Sequence, residues 1–155
     1  MIKMTTNPSI TRLVEPEAEA DLLKLSMQSL KEHYGLKPGK HSIAAREIGH
    51  QLGRDLANRF SATKFDSVVE ELAAYWKQNG IGEISWQDRD HLLLKIRDCS
   101  DCLGQAYGAG YTLCPFKEGL LEAVLQAKTE TVYEVREIEC CGTQAPNCLF
   151  QINEA

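Results

Sequence analysis

The sequence predicts an α+β fold, with N-terminal helices packed on an antiparallel four-stranded sheet, and three observations carry that expectation. Apolar residues recur at helical spacing through the first half of the chain, and beyond Gly80 the period changes to two. The strands then come in pairs, without the βαβ alternation that a parallel sheet requires. The expected order is ααα-ββ-α-ββ.

Residues 1–16 are polar, contain Pro8 and show no period that would bury a face, so a flexible arm is expected there, ahead of a single domain over 17–155. Pro16 suits a first helical turn, and Leu23, Met27, Leu30 and Tyr34 then share one stripe until Gly35 and Pro38 end it. A second helix opens near Ser42, a plausible N-cap, and carries Ile48, Leu52, Leu56 and Phe60 on one face. Gly49 and Gly53 lie beside that stripe, where missing side chains admit either a neighbouring backbone or a flat ligand. His50 reads as a solvated or core-edge histidine. The third helix starts around Asp66, with Ser67 and Glu70 spaced as a capping box, and runs through Leu72, Tyr75 and Trp76 to Gly80.

Ile84 and Trp86, then Leu92, Leu94 and Ile96, form a hairpin across the turn-forming Asp88-Arg89-Asp90. A stretch with Cys99, Cys102, Gly104, Tyr107, Gly108, Gly110 and Tyr111 follows, and its composition suits a flap. Pro115 at a first helical turn places Cys114 at the cap of a helix whose apolar face is Phe116, Leu120, Leu121, Val124 and Leu125. Two strands close the chain, over 131–140 and 147–152, joined by a turn-rich segment containing Pro146.

The totals exclude several classes. At 155 residues the chain can bury roughly 70% of its unfolded surface as one domain. A net charge of −5 and the absence of Lys/Arg runs argue against nucleic acid as a partner. The longest apolar runs, such as Leu92 to Leu94, are too short to span a bilayer, and no basic-then-apolar leader follows Met1. A cytoplasmic protein is expected.

All six cysteines fall within residues 99–155. With no sign of secretion, metal ligation or thiol chemistry is expected before disulfides. Cys114, Glu137, Cys140 and Cys148, in the pattern C-x22-E-x2-C-x7-C, can supply three thiolates and a carboxylate to one zinc ion. Four protein ligands leave no open position for water, so such a site is structural. A helix N-terminus favours the thiolate of Cys114, and Lys117 and Arg136 are nearby cations to offset the excess negative charge. The alternative is that these cysteines are small apolar core residues. Cys99-x2-Cys102 is a second pair, a candidate for reactive thiols, a rival metal site or incidental loop residues, and Cys141 is a spare.

From about Gly104 to Ile152, the run Leu113-Cys114-Pro-Phe116, Gly119-Leu-Leu, Glu137-x-x-Cys140 and Cys148-x-Phe150 resembles the 4-vinyl reductase domain family. The helical part with Gly49 and Gly53 extends the likeness toward Ala18. The family includes sensory domains of phenol-responsive activators, in which Cys, Glu, Cys and Cys hold a zinc that closes a lid over an aromatic effector. Cys114, Glu137, Cys140 and Cys148 match those ligands in order. The resemblance implies a fold related to heme-NO-binding domains and a vesicle-tethering subunit, and a homodimer formed through N-terminal helices.

It implies a non-catalytic binding protein for a hydrophobic or planar small molecule, an aromatic or a tetrapyrrole such as a bilin, with a role in pigment metabolism or photosynthetic complex assembly. The pocket is expected around Gly49, Gly53, Trp86, Tyr107, Tyr111 and Phe116. An enzyme acting on a tetrapyrrole vinyl group through Cys99 or Cys102, and a dimeric scaffold for a protein partner, are the alternatives. Catalysis is the weaker one, because the sequence holds no nucleotide fingerprint, flavin motif or evident acid-base pair.

Overall fold

The computed structural model describes residues 40–98, 114–140 and 145–155. The expected arm and first helix, the segment holding Cys99, Cys102, Tyr107 and Tyr111, and Cys141 lie outside the described residues. Within them the order is α1 (Lys40–Ala57), α2 (Phe65–Gln78), β1 (Glu83–Asp88), β2 (Leu93–Arg97), α3 (Pro115–Thr129), β3 (Tyr133–Glu139) and β4 (Cys148–Glu154).

Helix α1 starts at Lys40, two residues before the expected cap at Ser42, and stops short of Phe60. Phe60 instead meets the Tyr75 ring edge-on, with centroids 6.2 Å apart. The capping box expected at Ser67 is absent: α2 begins at Phe65 with Lys64 as its N-cap and no side-chain cap bond. Phe65 is drawn into the helix by its own packing, its ring lying 6.0 Å from Trp86 and 5.2 Å from Tyr133. The chain before it is pinned instead by Glu71, whose carboxylate accepts the Ser61 hydroxyl at 2.7 Å and the Ala62 N–H at 3.0 Å. Gly80, in the left-handed region at φ 61°, follows the helix end.

The four strands form one antiparallel sheet in the order β1-β2-β4-β3. Its inner face, with Leu94, Ile96, Val135, Phe150 and Ile152 all nearly inaccessible, buries against Val68, Leu72 and Trp76 of α2 and Leu120, Leu121 and Val124 of α3. Helices α2 and α3 cover the sheet, whereas α1 packs chiefly on α3. The small residues explain that third layer. A Cβ on Gly49 would stand 2.0 Å from the Phe116 carbonyl oxygen, one on Gly53 2.5 Å from that of Leu120, and one on Gly119 2.1 Å from that of Arg46. The two helices therefore cross backbone to backbone. Among the described residues no helix is long and apolar enough to cross a membrane.

Candidate metal centre

The site is built where α3 begins and the β3–β4 pair opens. Pro115 occupies the first position of α3, as its fixed φ favours, and leaves Cys114 as the N-cap, 3% exposed. On β3 the geometry is less obvious, because Glu137 and Cys140 are three residues apart and in a regular strand would face opposite ways. A bulge between Glu137 and Glu139 resolves this. Val135 and Glu137 point inward, Ile138 is pushed out to 54% exposure, Glu139 pairs with Leu149, and Cys140 turns inward again. The extra residue resets the phase of the strand, so both ligand candidates reach one buried space.

One ligand atom from each of Cys114, Glu137 and Cys140 lies within 4.8 Å of the others, close enough for a single ion to reach all three. Glu137 Oε2 also accepts the Cys114 backbone N–H at 3.1 Å, placing a carboxylate at the positive end of α3. Cys148, fully buried on β4 opposite Ile96, brings its Sγ to 3.8 Å from that of Cys140. Two thiolates bound to one tetrahedral zinc at about 2.3 Å each stand ~3.8 Å apart, so this spacing fits shared ligation. The residues present therefore suit a zinc or similar thiophilic ion. Of the cations expected to offset its charge, Lys117 is buried one turn from Cys114, while Arg136 is exposed and pairs with Glu134 at 2.5 Å.

Beneath this centre lies a polar cluster not foreseen in the sequence. Glu118 and Glu122, one turn apart on α3 and both nearly buried, meet Arg46 and His50, one turn apart on α1. Arg46 Nη1 donates to Glu118 at 2.6 Å, and Nη2 donates to Glu122 and to the Val135 carbonyl, the latter at 3.1 Å. His50 Nε2 lies 2.8 Å from Glu122. The same carboxylates cap the outer edge of β3: Glu122 accepts the Val135 N–H and Glu118 accepts the Glu137 N–H, each at 2.8 Å. Burial raises the Glu118 carboxyl above its ordinary range, opposed by the Glu137 N–H and the Arg46 guanidinium. The sequence did carry a signal for this cluster, namely two i, i+4 pairs of opposite charge type on helices that are otherwise apolar along one face.

The expected pocket residues are dispersed. Gly49 and Gly53 line no opening, because the α3 backbone fills the space they leave. Phe116 is buried in the core and Trp86 is half-buried beside Phe65. A separate cavity of about 310 Å³ lies at the β1 edge, lined by Ala73, Lys77, Ile84, Ser85, Lys95 and Arg97 among others, and contains none of the expected pocket residues.

The sequence profile of the 4-vinyl reductase domain matches residues 92–154, a span that includes β2, α3, β3, β4 and all four residues of the metal centre. The chain carries a 4-vinyl reductase domain. Helices α1 and α2 precede the matched span of that domain, so Arg46 and His50 lie outside it.

Among similar sequences are three uncharacterized proteins of Methanocaldococcus jannaschii. MJ0150 is 29% identical over 107 residues, covering 68% of this chain and 60% of that protein. MJ0745 is 25% identical over 111 residues, covering 71% of this chain. The chain spans only 55–61% of the length of the three.

Solved structures share the fold at low identity. A vinyl-4-reductase family protein from M. jannaschii superposes with a TM-score of 0.55 at 18% identity, over 87% of this chain and 78% of its own. The phenol-responsive sensory domain of the transcription activator PoxR, solved with phenol, gives 0.58 at 15%, over 87% and 74%. Trafficking protein particle complex subunit 3 from Naegleria fowleri, covalently bound to palmitic acid, gives 0.65 at 14%, over 88% and 95%.

Proposed function

We propose that this 4-vinyl reductase domain binds a small hydrophobic or planar molecule, an aromatic compound or a tetrapyrrole, under a lid closed by one structural zinc ion. Cys114, Glu137, Cys140 and Cys148 would hold the ion. The observation that carries the reading is their convergence, from a helix cap and two strands, on one buried space with thiol spacing suited to tetrahedral zinc. Zinc held by four protein groups supplies cross-linking of the three elements and leaves no site for water activation. Catalysis therefore has no place at this centre.

The ligand class is supported by the company the fold keeps, since two proteins of this architecture were solved with apolar molecules, phenol in one and palmitic acid in the other. A homodimer formed through the N-terminal helices, and service to a larger pigment-related complex, rest on the family resemblance alone and belong to the same proposal.

Two measurements test it. Protein purified without chelators should contain one zinc per chain by elemental analysis, and phenol, palmitate or a bilin should raise its melting temperature in a concentration-dependent way. A metal-free preparation that is fully stable would remove the staple. Absence of any thermal shift across aromatic, acyl and tetrapyrrole compounds would remove the binding function.

A further inference from the structure

We propose that Glu118 is the positioning residue for the Glu137 metal ligand, and that Arg46 of α1 acts on the metal centre through it. The inference rests on the metal reading above and extends it to a residue outside the matched domain span, since Arg46 precedes it.

Strand β3 is the sheet edge and is bulged immediately after Glu137, so pairing with β4 alone holds that backbone weakly in place. The remaining constraint comes from the helix side. Glu118 Oε1 accepts the Glu137 N–H at 2.8 Å, while Oε2 accepts Arg46 Nη1 at 2.6 Å. One carboxylate thus ties the ligand's backbone to α3 with one oxygen and to α1 with the other. The Glu137 side chain, so anchored, directs Oε2 at the Cys114 N–H, in reach of the thiols. Hydrogen bonds that orient a metal ligand commonly set affinity by roughly ten- to a hundredfold.

Glu122 supplies an internal control. It lies one turn further along α3, is equally buried, contacts the same Arg46 and accepts a β3 N–H at the same distance, but that N–H belongs to Val135, which holds no metal. Losing either carboxylate removes similar structure; only Glu118 touches a ligand residue.

The test is anaerobic titration of the full chain with Co(II), read by its visible d–d and thiolate charge-transfer bands. Glu118→Ala should weaken cobalt binding at least tenfold and alter the bands. Glu118→Gln, whose amide oxygen still accepts the Glu137 N–H, should recover most of the affinity. Glu122→Ala should melt earlier yet bind cobalt as the wild type does. If Glu118→Ala does not fold, Glu118→Asp, too short to span both partners, carries the same expectation. Equal weakening by Glu118→Ala and Glu122→Ala, or none by Glu118→Ala, overturns the positioning role while leaving the metal reading intact. Wild-type protein that takes up no cobalt overturns both.

Discussion

Cys140 and Cys148 face each other across the open end of the β3–β4 pair with sulfurs 3.8 Å apart. That separation suits two thiolates sharing a zinc ion, and it exceeds a disulfide bond of about 2.05 Å by less than ~2 Å. The pair is therefore set between two chemistries. Zinc-loaded protein should resist mild oxidants, whereas chelator-treated protein should lose two hydrogens as the Cys140–Cys148 disulfide forms. Peptide mapping by mass spectrometry decides between these outcomes, and an oxidation rate unaffected by the chelator would count against shared ligation.

Removing the ion or a ligand should be expensive. Structural zinc contributes several kcal/mol to small metal-bound folds, so Cys140→Ala should lose its zinc and melt well below the wild type. A Cys140→Ala protein with unchanged zinc content and melting would contradict the assignment.

The crossing of α1 on α3 leaves no room for a methyl group. Gly49→Ala and Gly119→Ala each drive a Cβ against a carbonyl oxygen, which no rotamer change can relieve. Overpacking of this kind costs about 1–3 kcal/mol, a drop of roughly 3–10 °C in a domain of this size. In an ordinary helix interior glycine-to-alanine stabilises, so the sign alone is diagnostic in a thermal melt.

Glu71 should contribute a pH-dependent share of stability. The Ser61 hydroxyl, followed by the Ala62 N–H, holds its carboxyl below the ordinary value of 4.5. A carboxylate depressed in the folded state stabilises above its unfolded pKa, and the contribution is lost as pH falls through the folded value. Wild type should therefore melt above Glu71→Gln at neutral pH, with the gap closing as the pH is lowered below 4.5. A gap that stays constant with pH would remove the ionised carboxylate from the account.

The edge of β3 should be protected where the helix caps it. The Val135 and Glu137 amides point away from β4 yet are bound by Glu122 and Glu118. Amide exchange followed by NMR should find both slow, and Glu122→Ala should release Val135 selectively. Fast exchange at both amides in the wild type would show the caps to be broken in solution.

The sequence by itself determined the elements and the donor set. The change of apolar period at Gly80, the Pro115 signature and the C-x22-E-x2-C-x7-C pattern are local properties, and local backbone preferences are enough to place α2, the hairpin, the cap at Cys114 and the closing strands within a few residues. Tertiary structure decided how they face one another. Glu137 and Cys140 share a side only because a bulge forms against β4, and pairing register is not written in either strand alone. Gly49 and Gly53 became a helix contact because α3 arrived with Gly119 to match them, and Glu118 and Glu122 became buried because Arg46, far off in sequence, closed over them. A burial cost is settled only by the partner that meets the group, and that partner is chosen by the fold.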